Sequence, residues 1–103
     1  MKAQETRTEA ELLRQVTQLA RQLGWIVYHT HRSQFSAAGF PDVHAIHVGQ
    51  RRIVYAELKR TPKDRLGPDQ EVYRAALLAV GAEWHRWDWS TPIEDIVRIL
   101  RAR

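Results

Sequence analysis

The stretch Val43-His-Ala-Ile-His-Val-Gly-Gln-Arg-Arg-Ile-Val-Tyr-Ala-Glu-Leu-Lys59 decides the fold. Two runs rich in β-branched and aromatic residues, Val43 to Val48 and Ile53 to Leu58, flank a turn that begins at Gly49-Gln50, and this predicts an antiparallel hairpin. Side chains alternate across a strand, so Tyr55, Glu57 and Lys59 point one way while Val54, Ala56 and Leu58 point the other. An acid and a base therefore share one sheet face. If a helix covers that face, the charges are costly unless they are paired or bound to a metal. The plainer reading is a solvated strand end with a weak ion pair.

Upstream of the hairpin, Leu12, Val16, Leu19, Ala20 and Leu23 recur at helical spacing over Thr8 to Leu23; Thr8 and Glu11 match a capping box, and Gly24 stops the helix. Trp25 to Tyr28 reads as a strand and the polar run from His29 to Gly39 as a loop. Downstream, a polar turn from Arg60 to Gly67 precedes a helix with Pro68 in its first position, packed through Gln70, Tyr73, Leu77 and Val80 and stopped by Gly81. Ala82 to Trp87 reads as a fourth strand. Thr91-Pro-Ile-Glu94 resembles a second capping box, opening a last helix with Ile93, Ile96, Val97 and Leu100 on one face. This order predicts a compact α/β domain, a mixed central β-sheet flanked by helices, and leaves strand order open.

A length of 103 residues predicts a single domain spanning 1–103, so any site must be built from the elements that form the core. The absence of cysteine excludes disulfides, thiol catalysis and cysteine-ligated zinc, and is compatible with a reducing cytosol. No run approaches the roughly 20 apolar residues of a membrane span, so no membrane association is expected. Sixteen Lys and Arg against twelve Asp and Glu give a formal charge of +4, a balance that favours polyanionic partners.

Gly39-Phe-Pro-Asp42 places a carboxylate at the mouth of the second strand, and in the inferred hairpin Asp42 lies across from Glu57. The two carboxylates, with the main-chain carbonyl of Leu58 and water, form a hard oxygen set suited to Mg²⁺ or Mn²⁺. Asp42 could instead only cap its proline turn. Glu9 shares a helix face with Val16 and Ala20 and is expected to point inward as a further ligand or support; its plain reading is a first-turn acid favoured by the helix dipole. Gln70 opens the packed face of its helix, where its amide can orient water, lysine or phosphate, or simply satisfy backbone groups. His44 and His47 fall on opposite strand faces and make no zinc site. Trp84 and Trp87 read as packing residues, with Trp89 near the final turn.

Thr8-Glu9, Gly39-Phe-Pro-Asp42, Glu57-Leu-Lys59 and Gly67-Pro-Asp-Gln70, in this order, resemble the virus-type replication-repair nuclease (VRR-NUC) family of the PD-(D/E)xK nuclease superfamily. The resemblance covers nearly the whole chain. It implies a restriction-endonuclease-like core, with Asp42 and Glu57 as metal ligands, Lys59 assisting the attacking water or stabilising phosphate, and Glu9 and Gln70 at the family's helical acidic and glutamine positions. It further implies a structure-selective endonuclease acting on branched or flapped DNA, a homodimer, a helicase or other replication-repair partner, and a cytoplasmic location in a bacterial cell or phage-infected host. A base role for Lys59 needs a depressed pKa, which a neighbouring glutamate opposes, so electrostatic stabilisation and water positioning are favoured.

Arg32, Ser33, Arg51, Arg52, Arg60, Lys63 and Arg65 occupy loops or strand ends and are expected to form a phosphate-binding rim; for any one of them a solubilising role is the plain alternative. His29 and His31 can reach phosphate from the same loop as Ser33. The different-class alternative is a noncatalytic nucleic-acid-binding module on a degenerate nuclease fold.

Overall fold

The computed structural model describes residues 7–29 and 38–102. The expected contacts from His31, Arg32 and Ser33 lie outside the described residues.

The first helix, α1 (Glu9–Gln22), starts at the foreseen cap: the Glu11 amide donates to Thr8 Oγ1 at 3.1 Å and the Thr8 amide to the Glu11 carboxylate at 2.9 Å. The helix closes with Trp25 N–H donating to the Ala20 carbonyl across Gly24, whose φ of +95° suits glycine. Strand β1 (Ile26–His29) follows, then β2 (Val43–His47) and β3 (Arg52–Leu58). Helix α2 (Pro68–Ala79), strand β4 (Glu83–Trp87) and helix α3 (Ile93–Arg101) complete the order.

The sheet runs β1-β2-β3-β4; the first two pairings are antiparallel and the third is parallel, with α2 as the crossover between β3 and β4. The hairpin expected from sequence is therefore β2-β3, with Val43 opposite Ala56 and Ala45 opposite Val54. Val43, Ala45, Val54, Ala56, Leu58 and Trp87 turn one sheet face toward Leu12, Val16 and Ala20 of α1 and Ile96 and Leu100 of α3, all of them buried. This is the mixed central sheet flanked by helices.

Tyr55, Glu57 and Lys59 project from the other face toward α2. Phe40 makes edge-to-face contacts with Tyr55 and Tyr73, at centroid distances of 6.0 and 5.4 Å, joining the loop before β2 to both the sheet and α2.

Two local expectations need correction. The second capping box does not form: α3 begins at Ile93 with Pro92 in the cap position, because Thr91 Oγ1 accepts instead from the Asp88 amide at 3.0 Å and closes the preceding turn. Nor does α2 pack through Val80, which is 80 % exposed; the helix lies against the edge strand β4, so only Tyr73 and Leu77 of the expected apolar face are half-buried. No helix among the described residues is long and apolar enough to cross a membrane.

Candidate active site

Antiparallel pairing of β2 and β3 brings the start of one strand beside the end of the other, which seats Asp42 next to Glu57 and Leu58. Asp42 does not spend its carboxylate on its own turn: Oδ2 accepts from the Leu58 amide at 2.8 Å, across the hairpin. Its approach is fixed by Gly39, whose φ is +85° and whose missing Cβ would stand 2.4 Å from the backbone carbonyl of Asp69 at the start of α2. Only glycine lets the Gly-Phe-Pro-Asp turn pass this close.

Glu57 is 3 % exposed, which rules out the solvated strand end. Gln70 serves as the polar hub around it. Its Nε2 donates to Glu57 Oε2 at 2.9 Å, and its Oε1 accepts from Lys59 Nζ at 3.0 Å and from the Gly67 amide at 2.8 Å. That last bond is the N3-to-cap half of a capping box, the half that needs no side chain from Gly67. Lys59 Nζ stands 4.0 Å from Glu57 Oε2, so the ammonium reaches the carboxylate mainly through Gln70.

The electrostatics of this cluster are those of an anion excess. Burial, followed by the neighbouring Asp42 charge, pushes the Glu57 carboxyl up to about 8; Lys59 opposes the shift, while hydrogen bonding with Asp42 and the charge of Glu9 reinforce it. Two carboxyl groups within hydrogen-bonding reach of each other can share one proton or one cation, but cannot both stay bare at low cost.

Glu9 sits on the first turn of α1 and is exposed, because the helix begins beyond the cover of the sheet; only its field reaches Glu57. Among the described residues no three His, Cys, Asp or Glu side chains gather as a metal cluster. The donor set at the strand ends is thus two carboxylates and nearby main-chain oxygen. That set fits Mg²⁺ or Mn²⁺, since Mg²⁺ commonly takes one or two carboxylates and keeps several waters.

The basic residues divide into two groups. Arg60, Lys63 and Arg65 follow Lys59 directly in the exposed connection to α2. Arg86, a residue the sequence did not single out, braces that connection: its guanidinium donates to the carbonyls of Thr61 at 2.9 Å and Asp64 at 2.8 Å and pairs with buried Asp88 at 2.5 Å.

Arg51 and Arg52 belong elsewhere, and the expected rim is corrected here. Arg52 opens β3 at its hairpin end, five residues from Glu57, which is roughly 17 Å along a strand, and Arg51 lies one residue further, in the turn. Arg52 is also occupied, forking onto Glu83 at 2.8 and 2.6 Å and donating to Gln50 and the Ala102 carbonyl.

The histidines and tryptophans of this region are packed. His44 stacks on Tyr55, and His47 lies edge-on to Trp25 and accepts from the Gln50 amide. Trp87 is buried in the core, Trp84 lies under Arg74, and Trp89 donates to the Thr8 carbonyl.

No protein-family model matches the sequence, and no curated protein matches it. Among solved structures, one described as a VRR_NUC domain superposes with a TM-score of 0.72 at 17 % sequence identity, over 91 % of this chain and 95 % of that one. The two share a fold.

Proposed function

From the fold shared with a VRR_NUC domain, we propose that this chain is a single-domain, divalent-metal-dependent nuclease that hydrolyses DNA phosphodiester bonds. The observation that carries the reading is Asp42 set beside buried Glu57, with Glu57 tied through Gln70 to Lys59. Asp42, Glu57 and the Leu58 carbonyl would hold Mg²⁺ or Mn²⁺, with Glu9 adding its field from α1. When bound, the ion lowers the pKa of water and neutralises charge developing on the phosphoryl group.

The chain's own groups do the rest. Gln70 fixes the Lys59 ammonium, which donates a hydrogen bond to Gln70 Oε1 at 3.0 Å, so the charge stands ready beside the carboxylates. Lys59 then orients water and stabilises the phosphate as negative charge grows. Arg60, Lys63 and Arg65 place the backbone of the substrate over the strand ends. The family resemblance supplies the finer assignments: an endonuclease selective for branched or flapped DNA, a homodimer, and a replication-repair partner such as a helicase.

The test compares the parent chain with Asp42→Ala and Lys59→Ala on linear, flap, bubble and four-way DNA in Mg²⁺, Mn²⁺ or EDTA. Cleavage that needs the ion and falls about 100-fold or more in either variant is expected. Binding without cleavage in every condition would instead identify a noncatalytic nucleic-acid-binding module.

A further inference from the structure

Three arginines recur every seventh residue, Arg7 just ahead of α1 and Arg14 and Arg21 on it. Seven residues make nearly two helical turns, so Arg14 and Arg21 lie along one stripe about 10 Å apart. Both are exposed, and neither forms an ion pair among the described residues. Arg7 lies over the Trp89 ring at 4.6 Å, and Arg21 reaches the Val27 carbonyl at 3.5 Å.

A groove of about 630 Å³ runs along this stripe, lined among others by Ala10, Leu13, Arg14, Thr17, Arg21 and His29. Ala10 follows Glu9, and His29 pairs with Val43, the neighbour of Asp42, so one end of the groove lies toward the starts of α1 and β2, the side of the fold that carries Asp42. The Thr17 hydroxyl beneath it is buried without a hydrogen-bond partner among the described residues. Arg14 and Arg21 are therefore not neutralised by a carboxylate among the described residues, unlike Arg52 and Arg86.

We infer that the α1 groove is a second phosphate track, in which Arg14 and Arg21 hold the backbone of the DNA strand as it leaves the carboxylate pair. This rests on the nuclease reading of the Asp42-Glu57 site. The strand ends lie between two layers, with α1 on one sheet face and the Arg60–Arg65 connection leading to α2 on the other. A strand crossing the site is thus gripped on both sides. The arginine spacing matches roughly three nucleotides of a stacked strand, at about 3.4 Å each. From Glu9 to Arg21 the helix covers about 18 Å, or about five nucleotides.

The measurement is binding of a fluorescein-labelled 20-nucleotide single-stranded DNA in EDTA from 50 to 200 mM salt, so that no cleavage intervenes. The Arg14→Gln/Arg21→Gln variant is compared with Arg98→Gln/Arg101→Gln, which removes the same charge from α3. The α1 variant is expected to bind about tenfold or more weakly, with a salt slope smaller by about 1.4, that is about 0.7 per lost contact. The α3 variant is expected to change affinity less than about twofold, and lysine at both α1 positions should restore binding, since a phosphate contact needs the positive charge.

Equal effects of the two charge removals, no measurable binding by the parent, or failure of the lysine variant to recover would overturn the track. Cleavage in Mg²⁺ by the parent, unchanged in the α1 variant with its binding also unchanged, would sink the track alone. Weakened binding by the α1 variant, beside a parent that never cleaves, would uphold the track and sink the catalytic reading.

Discussion

Glu57→Gln replaces one carboxylate oxygen by an amide at a position only 3 % exposed, leaving shape and volume almost unchanged. The new side chain still accepts from Gln70 Nε2 and gains a donor to offer Asp42, so two repelling acids become a donor and an acceptor. In the metal-free parent the Glu57 carboxyl is held up to about 8, against an ordinary 4.5. The folded chain therefore binds the proton more tightly than the unfolded chain.

Between these values the folded state carries the extra proton, so stability is complete below pH 4.5 and declines as the pH rises through 8. Every tenfold gain in proton affinity on folding corresponds to about 1.4 kcal/mol, so full expression would reach about 5 kcal/mol. Relaxation and water entry reduce this to about 2–3 kcal/mol. At pH 8 in EDTA, Glu57→Gln is then expected to melt about 10 °C or more above the parent, at about 4–8 °C per kcal/mol for a chain of this size. At pH 4.5 the two should nearly coincide.

Mg²⁺ is expected to stabilise the parent at pH 8 and to leave the variant nearly unmoved. Thermal unfolding followed by circular dichroism from pH 4.5 to 8.5, with EDTA or Mg²⁺, reads all three quantities. A variant that melts at or below the parent at pH 8, with the same pH slope, would refute the claim that buried like charge strains this site.

Gly39→Ala forces a Cβ to 2.4 Å from the Asp69 backbone at a positive φ, and should lower stability by about 2–4 kcal/mol in denaturant titration; a loss under about 1 kcal/mol would show the turn has room. Arg86→Gln leaves Asp88, itself 3 % exposed, without its cation and frees two loop carbonyls. It should cost about 3 kcal/mol and raise KM for DNA more than it lowers kcat, because the Arg60–Arg65 connection loses its brace; an unchanged KM would detach that loop from substrate binding.

The local signals carried much of the fold. Alternation through Tyr55, Glu57 and Lys59, and the Thr8–Glu11 cap, are statements about neighbours in the chain, and both appear as read. Asp42 beside Glu57 followed from the hairpin alone. What sequence could not show depended on distant partners. Arg52 seemed a free cation until Glu83, thirty-one residues on, claimed it. Arg86 looked ordinary because its partners lie in a loop more than twenty residues earlier. A helical wheel placed Glu9 on the inner face but could not say where the sheet beneath it ends. Thr91 had two nearby donors to choose from, and spacing does not rank them.

The molecule also has a working end and a tethering end. Glu9, at the start of α1, lies near enough for its charge to reach Glu57, whereas Gln50 and Arg52 clasp the carbonyls of Leu100 and Ala102 at the hairpin end of the sheet. A dye or surface anchor attached after Ala102 would leave the substrate entrance clear, while the same attachment ahead of Thr8 would crowd it. Immobilised formats should therefore hold this chain by its tail.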